Sequence, residues 1–343
     1  MITTCVISSY NYAQFICEAV DSALGQTVAF DEIIIVDDGS TDGTVELLKG
    51  RYAHHPSIQI VSKENQGQLS CFNEGFLRSS GDIVFFLDAD DVYEPDYVEQ
   101  MLEVYRREPG FDFVYCGVRR FGRKESGLKS ARDQDFGYSV ILTACLRDWI
   151  GGPTSCLSMR RATLEKILPL PFLDSWRTRA DDCLVFGASL AGARKFYLAR
   201  ALVRYRVHDQ NQFCGRSPDK FAVYRRRLAI NTLFEHLERK LCFNFERLAE
   251  FHHREFCTIA KPTMRQFRQY LRISLSARIS MFRRLACMAE MTRHYLRTAI
   301  RSTQAAVSIP STNRDAAPLR VFMPKDTAID AAPTQPAQQR RAA

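Results

Sequence analysis

Four aspartates in two clusters offer the clearest chemistry in this chain. Asp37 and Asp38 lie in the run from Ile33 to Asp42, and Asp88 and Asp90 in the run from Ile83 to Asp91. Each pair follows four or five consecutive β-branched or aromatic residues. That is the pattern of a strand covered on both faces in a parallel sheet, with the acids at its carboxyl end. This edge is where open α/β sheets take their ligands. Bare carboxylates repel phosphate, so two acidic clusters on one edge imply a divalent cation between protein and phosphates. Turn and helix-capping chemistry is the alternative for either cluster alone. Two clusters with matching surroundings favour a metal-dependent enzyme acting on a nucleotide-activated substrate.

The elements that must position these acids alternate along the first 115 residues. Strands are expected at Thr4–Ser8, Glu32–Val36, Ile58–Ser62, Asp82–Leu87 and Phe111–Cys116. Helices are expected at Gln14–Leu24, Thr44–Arg51, Gln68–Ser79 and Tyr97–Arg107. This alternation makes right-handed βαβ units and a mainly parallel sheet flanked by helices. Arg119 to Gly137 is polar and glycine-punctuated, which predicts a mobile loop. Ser158–Leu168 reads as strand then helix, Asp182–Leu190 as a short helix and Lys195–Tyr205 as a last strand. Long basic helical stretches follow Asp219, interrupted at Lys261-Pro262. From Ser302 an Ala, Pro, Gln, Thr and Ser composition predicts a disordered tail.

With 343 residues, 46% hydrophobic and 25% charged, the chain is ordinary globular material with room for one large α/β domain and an appendage. No apolar run approaches the roughly 18 residues of a membrane span. The start of the chain lacks a charged segment and cleavage site before the first strand, which predicts residence in the cytoplasm. The 11 cysteines include no Cys-x-x-Cys pair, so reduced core cysteines are expected rather than a disulfide framework. Charge is unevenly divided. Residues 220–301 carry 18 Lys+Arg against 6 Asp+Glu, whereas residues 1–219 carry 24 against 30.

Taken in order, Val6 to Asn11, Ile35 to Asp42, Asn65 to Leu69, Asn73, Phe86 to Asp91, Arg179 to Asp182 and Tyr205 to Asp209 resemble the successive signatures of family 2 inverting glycosyltransferases. That family has the GT-A nucleotide-diphospho-sugar transferase fold. The resemblance implies a catalytic domain over 1–219, and beyond it lie a basic helical extension over 220–301 and the tail over 302–343. It implies that Ser8, Tyr10 and Asn11 leave the first strand beside the nucleotide. Ser8 and Tyr10 would flank the base, Asp38 would accept a hydrogen bond from it, and Asn65 would join the same site.

Asp88-Ala-Asp90 matches the family's Asp-x-Asp motif, and side chains at i and i+2 of extended chain face one way. The resemblance assigns Asp88 to ribose or donor sugar, and Asp90 to a Mg²⁺ or Mn²⁺ ion bridging the phosphates. His208 would complete the ion's shell, with Arg206 offsetting phosphate charge. Asp91 is read as a helix-capping acid. Asp182 would be the general base, with Asp181 beside it and Gly151 and Gly152 shaping the sugar or acceptor pocket. The alternative for Asp182 is the N-cap of the following helix.

The implied partners are a nucleotide-diphospho-sugar donor and a carbohydrate or lipid-linked acceptor, as in cell-surface polysaccharide or glycolipid synthesis. The family's processive signature is missing at Gln210, which favours single-sugar transfer. A non-catalytic nucleotide-sugar binder of the same fold is the alternative. The basic segment interleaves Arg with Leu, Ile, Met and Phe and has no aromatic platform, so no nucleic-acid partner is expected. Peripheral contact with an anionic membrane face is expected there, against a dimerising helical hairpin.

Overall fold

The computed structural model describes residues 1–123, 125–126, 132–209 and 219–307. Its first half is β1 (Thr3–Ser9), α1 (Ile16–Leu24), β2 (Glu32–Asp37), α2 (Thr44–Tyr52), β3 (Ile58–Ser62), α3 (Gln68–Arg78), β4 (Ile83–Asp88), β5 (Val92–Tyr93) and α4 (Tyr97–Arg107). The second half begins with β6 (Phe113–Gly122), β7 (Gln134–Gly137), α5 (Val140–Leu146), β8 (Leu157–Arg160), α6 (Arg161–Ile167), α7 (Asp181–Leu190) and β9 (Lys195–Val207). The last helices are α8 (Lys220–Lys240), α9 (Phe245–Leu248), α10 (His252–Cys257), α11 (Met264–Ser276) and α12 (Met281–Val307).

One sheet runs in the order β3-β2-β1-β4-β8-β6-β9-β5, with β7 on β9. The strands β3, β2, β1 and β4 are parallel, as the βαβ reading requires. Their register decides the site, because Ser9 pairs with Asp37 across β1 and β2, and Ser8 with Asp88 across β1 and β4. Both acidic clusters therefore leave the sheet at one edge. β8 runs antiparallel to β4 and β6, which makes the far half mixed.

Two layers of apolar side chains cover the sheet. One joins Ile7, Ile35, Phe85 and Leu87 to α1 and α4. The other joins Val6, Val84, Phe86 and Met159 to α3, α6 and α7, and it takes in Leu233, Phe234 and Leu237 of α8. Fully burying such a side chain contributes about 1.5–3 kcal/mol, so α8 is integral to this layer. A third cluster joins α5 to α10, α11 and α12 through Ile141, Phe256, Tyr270 and Met291.

The expected loop over Arg119–Gly137 is partly strand. β6 continues to Gly122 because its backbone pairs with β9 as far as Val207, and β7 pairs with β9 from the other side. Backbone pairing along β9 tolerates the polar side chains that suggested a loop. α12 continues to Val307, past Arg301. The rest of the expected tail, and Gln210, lie outside the described residues. No helix among those described is long and apolar enough to cross a membrane.

Candidate active site

The turns after β1, β2 and β4, the start of α3, the start of α7 and the end of β9 meet around the acids. Asp88 closes β4 and is held by two donors on its Oδ1, Gln68 Nε2 at 2.9 Å and Ser8 Oγ at 3.3 Å. Burial, together with the nearby charges of Asp90 and Asp181, pushes its carboxyl up to about 7. Asp90 is 8% exposed, and its Oδ2 lies 2.9 Å from Nε2 of His208. The rings of Tyr12 and Phe15 set the imidazole's orientation, with centroids 5.9 and 4.9 Å away. The sequence-predicted metal pair therefore stands side by side, although its members are 118 residues apart.

Asp91 is not a helix cap. Its carboxylate accepts from Ser155 Oγ at 2.6 Å and from the backbone N–H of Arg206 at 2.9 Å, tying the β4 turn to the strand that delivers His208. Burial and the adjacent acids push its pKa well up. Arg206 is also committed internally. It donates from Nε to the Asp90 carbonyl at 2.8 Å, pairs with Glu18, and lies 4.6 and 4.4 Å from the Phe15 and Phe121 ring centres. A guanidinium so fixed orients Asp90 rather than waiting for phosphate.

At the other acidic pair, Asp37 accepts the backbone N–H of Ser40 at 2.9 Å, which is turn chemistry. Asp38 is 3% exposed. It accepts from Lys63, from the backbone N–H groups of Gln66 at 2.9 Å and Gly67 at 2.7 Å, and from Ser70 Oγ at 3.4 Å. These bonds shape the 63–70 turn and leave little of Asp38 to meet a base. Asn11 has φ 57° and receives the Thr41 N–H at 2.8 Å, joining two turns. Tyr10 is 46% exposed, and Asn65 pairs with Arg177. Tyr10 is thus the open aromatic surface at this edge.

Asp181 and Asp182 open α7. Ala180 occupies the N-cap position and Asp182 lies inside the helix, so the capping alternative fails. Asp182 is 0% exposed and receives a two-pronged guanidinium bond from Arg226 of α8, at 2.7 and 3.0 Å. Arg179 adds a contact at 3.5 Å. Asp181 is half-buried, and burial beside the Asp182 charge pushes its carboxyl up to about 7. Gln68 joins the two halves, giving its amide to Asp88 and taking the Ala180 N–H on Oε1 at 2.9 Å.

Gly151 faces α7 rather than open space. A Cβ there would fall 2.6 Å from Cγ2 of Val185, and one on Gly152 would fall 3.3 Å from Cys156. Gly151 sets how closely this segment approaches the helix carrying the acid pair, and Gly152 how closely it lies on β6 and Cys156. Trp176 is buried in the second core layer. Sequence reasoning gave no role of their own to Gln68, Tyr12, Phe15 and Arg226, and read Ser155 only as part of the pocket-shaping run from Gly151. Gln68 lay inside a motif already singled out, whereas Arg226 gave no local signal.

Residues 4–168 match the family model described as Glycosyl transferase family 2. An uncharacterized glycosyltransferase of Nostoc sp. is 34% identical over 212 residues, covering 60% of this chain and 65% of that protein. The chondroitin synthase of Escherichia coli is 38% identical over 118 residues, covering 34% of this chain and 17% of the synthase. The chain thus spans less than two thirds of either relative. The crystal structure of S. aureus TarS 1-349 in complex with UDP-GlcNAc superposes with a TM-score of 0.54 at 18% identity, covering 89% of this chain and 92% of that one. That likeness shows the fold.

Proposed function

We propose a function from the premise that residues 4–168 belong to glycosyl transferase family 2 and carry its GT-A fold: the chain transfers one sugar from a nucleotide-diphospho-sugar to an acceptor hydroxyl, with inversion. The observation that carries this reading is the convergence of Asp88, the Asp90–His208 pair and the Asp181–Asp182 pair on one sheet edge. Synthesis of a cell-surface polysaccharide or glycolipid is the setting we favour, since chondroitin and hyaluronan synthases are similar to about a third of this chain.

Asp90 and His208 fit a divalent cation. Carboxylate oxygens with one imidazole suit Mg²⁺ or Mn²⁺ that also takes phosphate oxygens. Such an ion, when bound, supplies positive charge to the diphosphate as it leaves. Around it the chain orients and excludes. Asp91, Ser155 and Arg206 fix the turn carrying Asp90, Gln68 aims Asp88 at the donor, and Tyr10 offers a face to the base.

Asp182 takes the proton from the acceptor hydroxyl as that oxygen attacks the anomeric carbon opposite the diphosphate. Arg226 grips Asp182 with two bonds and must slacken for the hydroxyl to approach. A second reading makes Asp181 the base, favoured by its greater exposure and its carboxyl near 7.

Exposed apolar residues on α8 and α12, Phe221, Tyr224, Phe282 and Leu285 among them, support peripheral contact with an anionic membrane face. Co-sedimentation with anionic vesicles should fall as salt rises. Salt-independent or absent binding, with a dimer in sedimentation velocity, would point instead to a second copy.

The donor site is tested by calorimetric titration of nucleoside diphosphates with Mn²⁺ and with excess chelator. Affinity should drop at least ~10-fold without the ion, and Asp90→Asn should mimic the chelator. Equal affinity in all three states sinks the cation-held donor.

A further inference from the structure

Away from the acidic edge, three side chains with metal-ligating atoms meet in the helical segment. His252 and His253 open α10 and Cys287 lies on α12, and one ligand atom from each falls within 4.8 Å of the other two. His252 is 0% exposed and Cys287 4% exposed. Nδ1 of His252 lies 2.8 Å from the Ala249 carbonyl, which places the proton on Nδ1 and leaves a bare lone pair on Nε2. Among the described residues that Nε2 is buried with no hydrogen-bond partner, and so is Nδ1 of His253. The two rings meet edge-on at 76° with centroids 5.6 Å apart, so neither satisfies the other.

In the same segment Glu255 and His294 are satisfied, while Ser274 Oγ on α11 is also buried without a partner among the described residues. Glu255 accepts the N–H groups of Ile141 and Leu142, each at 2.9 Å, and the Tyr270 hydroxyl at 2.8 Å. His294 bonds the Ile259 carbonyl at 2.9 Å. Against that background, two unmet imidazole nitrogens beside a thiol are costly unless something occupies the space between them. A fourth donor is at hand. Glu290 stands three residues beyond Cys287 on the same face of α12, with its carboxylate 3.7 Å from His253 Nε2.

We infer that His252, His253 and Cys287 form a transition-metal site, with Glu290 or water as fourth ligand, that fastens α10 to α12. Two imidazoles and a thiolate select a borderline-soft ion such as Zn²⁺ over Mg²⁺ or Mn²⁺. The Ala249 carbonyl plays the orienting part that ligating histidines ordinarily require. Zinc bonds of about 2.0–2.3 Å in a tetrahedron separate ligand atoms by roughly 3.3–3.8 Å, so closing the present spread needs side-chain shifts on the order of 1 Å. Binding Cys287 releases its proton to solvent. The site shares no residue with the acidic edge, but it bears on it: α10 carries Glu255, which caps α5, and α5 precedes the segment holding Gly151.

The test uses the full-length chain stripped with chelator and titrated with Co²⁺. One equivalent should produce the charge-transfer absorption of a cobalt–thiolate bond, and Zn²⁺ should displace it. Cys287→Ser should abolish the band and His252→Gln should weaken Co²⁺ binding at least ~10-fold, whereas Asp90→Asn should leave the band intact, since the Asp90–His208 pair is a carboxylate with an imidazole and not a thiolate. A wild-type chain without the band, or a band that survives Cys287→Ser, overturns the site. Should a variant fail to fold, the wild type still decides it. Zn²⁺ must slow alkylation of Cys287, read residue by residue by mass spectrometry, and equal rates with and without Zn²⁺ overturn the proposal.

Discussion

Asp181 is one of two carboxyls, with Asp88, whose burial makes the chain sensitive to pH near neutrality. Its ordinary value is 3.8 and burial beside Asp182 moves it to about 7 in the folded chain. Between those values the folded state binds more protons than the unfolded one, so stability is lost as pH rises across that window and levels off above it. The ligand-free chain should therefore melt at a higher temperature at pH 6 than at pH 8. Asp181→Asn should raise the pH 8 value and flatten the difference, and an unchanged slope in the variant would contradict the assignment. The meeting of Asp88 and Asp90 was legible because both stand at the end of a readable strand, whereas His208 was placed beside them only by the family resemblance. The internal duties of Asp38, Asp91 and Arg206 were not, since a sequence shows which residues can bond a ligand but not which are already bonded to the backbone. Arg226 was hidden for another reason. It lies 44 residues past Asp182, in a basic stretch whose composition suggested solvent and membrane rather than a buried carboxylate.

Among the elements, the approach of the 150–152 segment to α7 carries the site's tolerance. Gly151→Ala would push a methyl to 2.6 Å from Val185 Cγ2 on the helix that begins with Asp181 and Asp182. Overpacking of this kind costs typically about 1–3 kcal/mol. Chemical denaturation should show that loss, and donor affinity should change far less, because Asp88 and Asp90 lie on another element. A variant as stable as the wild type would mean that the segment yields freely. The parallel strands and their helices were legible from apolar runs of strand length alternating with helical spacing. The extension of β6 and the existence of β7 were not, since β9 holds both by backbone pairing that leaves no apolar signature.

At the scale of the whole molecule, the composition break at Asp219 marks a change of character and not of packing. Leu233, Phe234 and Leu237 of α8 complete the second core layer, and the same helix brings Arg226 to Asp182. The described chain from the first strand to α12 belongs to one compact unit. In the proposed function this unit activates an acceptor hydroxyl with Asp182 against a donor held elsewhere on the same edge. The most direct measurement is single-turnover sugar transfer, with the anomeric configuration of the product read by NMR, in the wild type, Asp182→Asn and Asp181→Asn. The product should be inverted and Asp182→Asn should lose on the order of 100- to 10,000-fold, with donor affinity kept within a few fold and a much smaller loss in Asp181→Asn. A retained configuration would contradict the displacement itself. Wild-type rates in Asp182→Asn alongside a collapse in Asp181→Asn would move the base one residue back along α7.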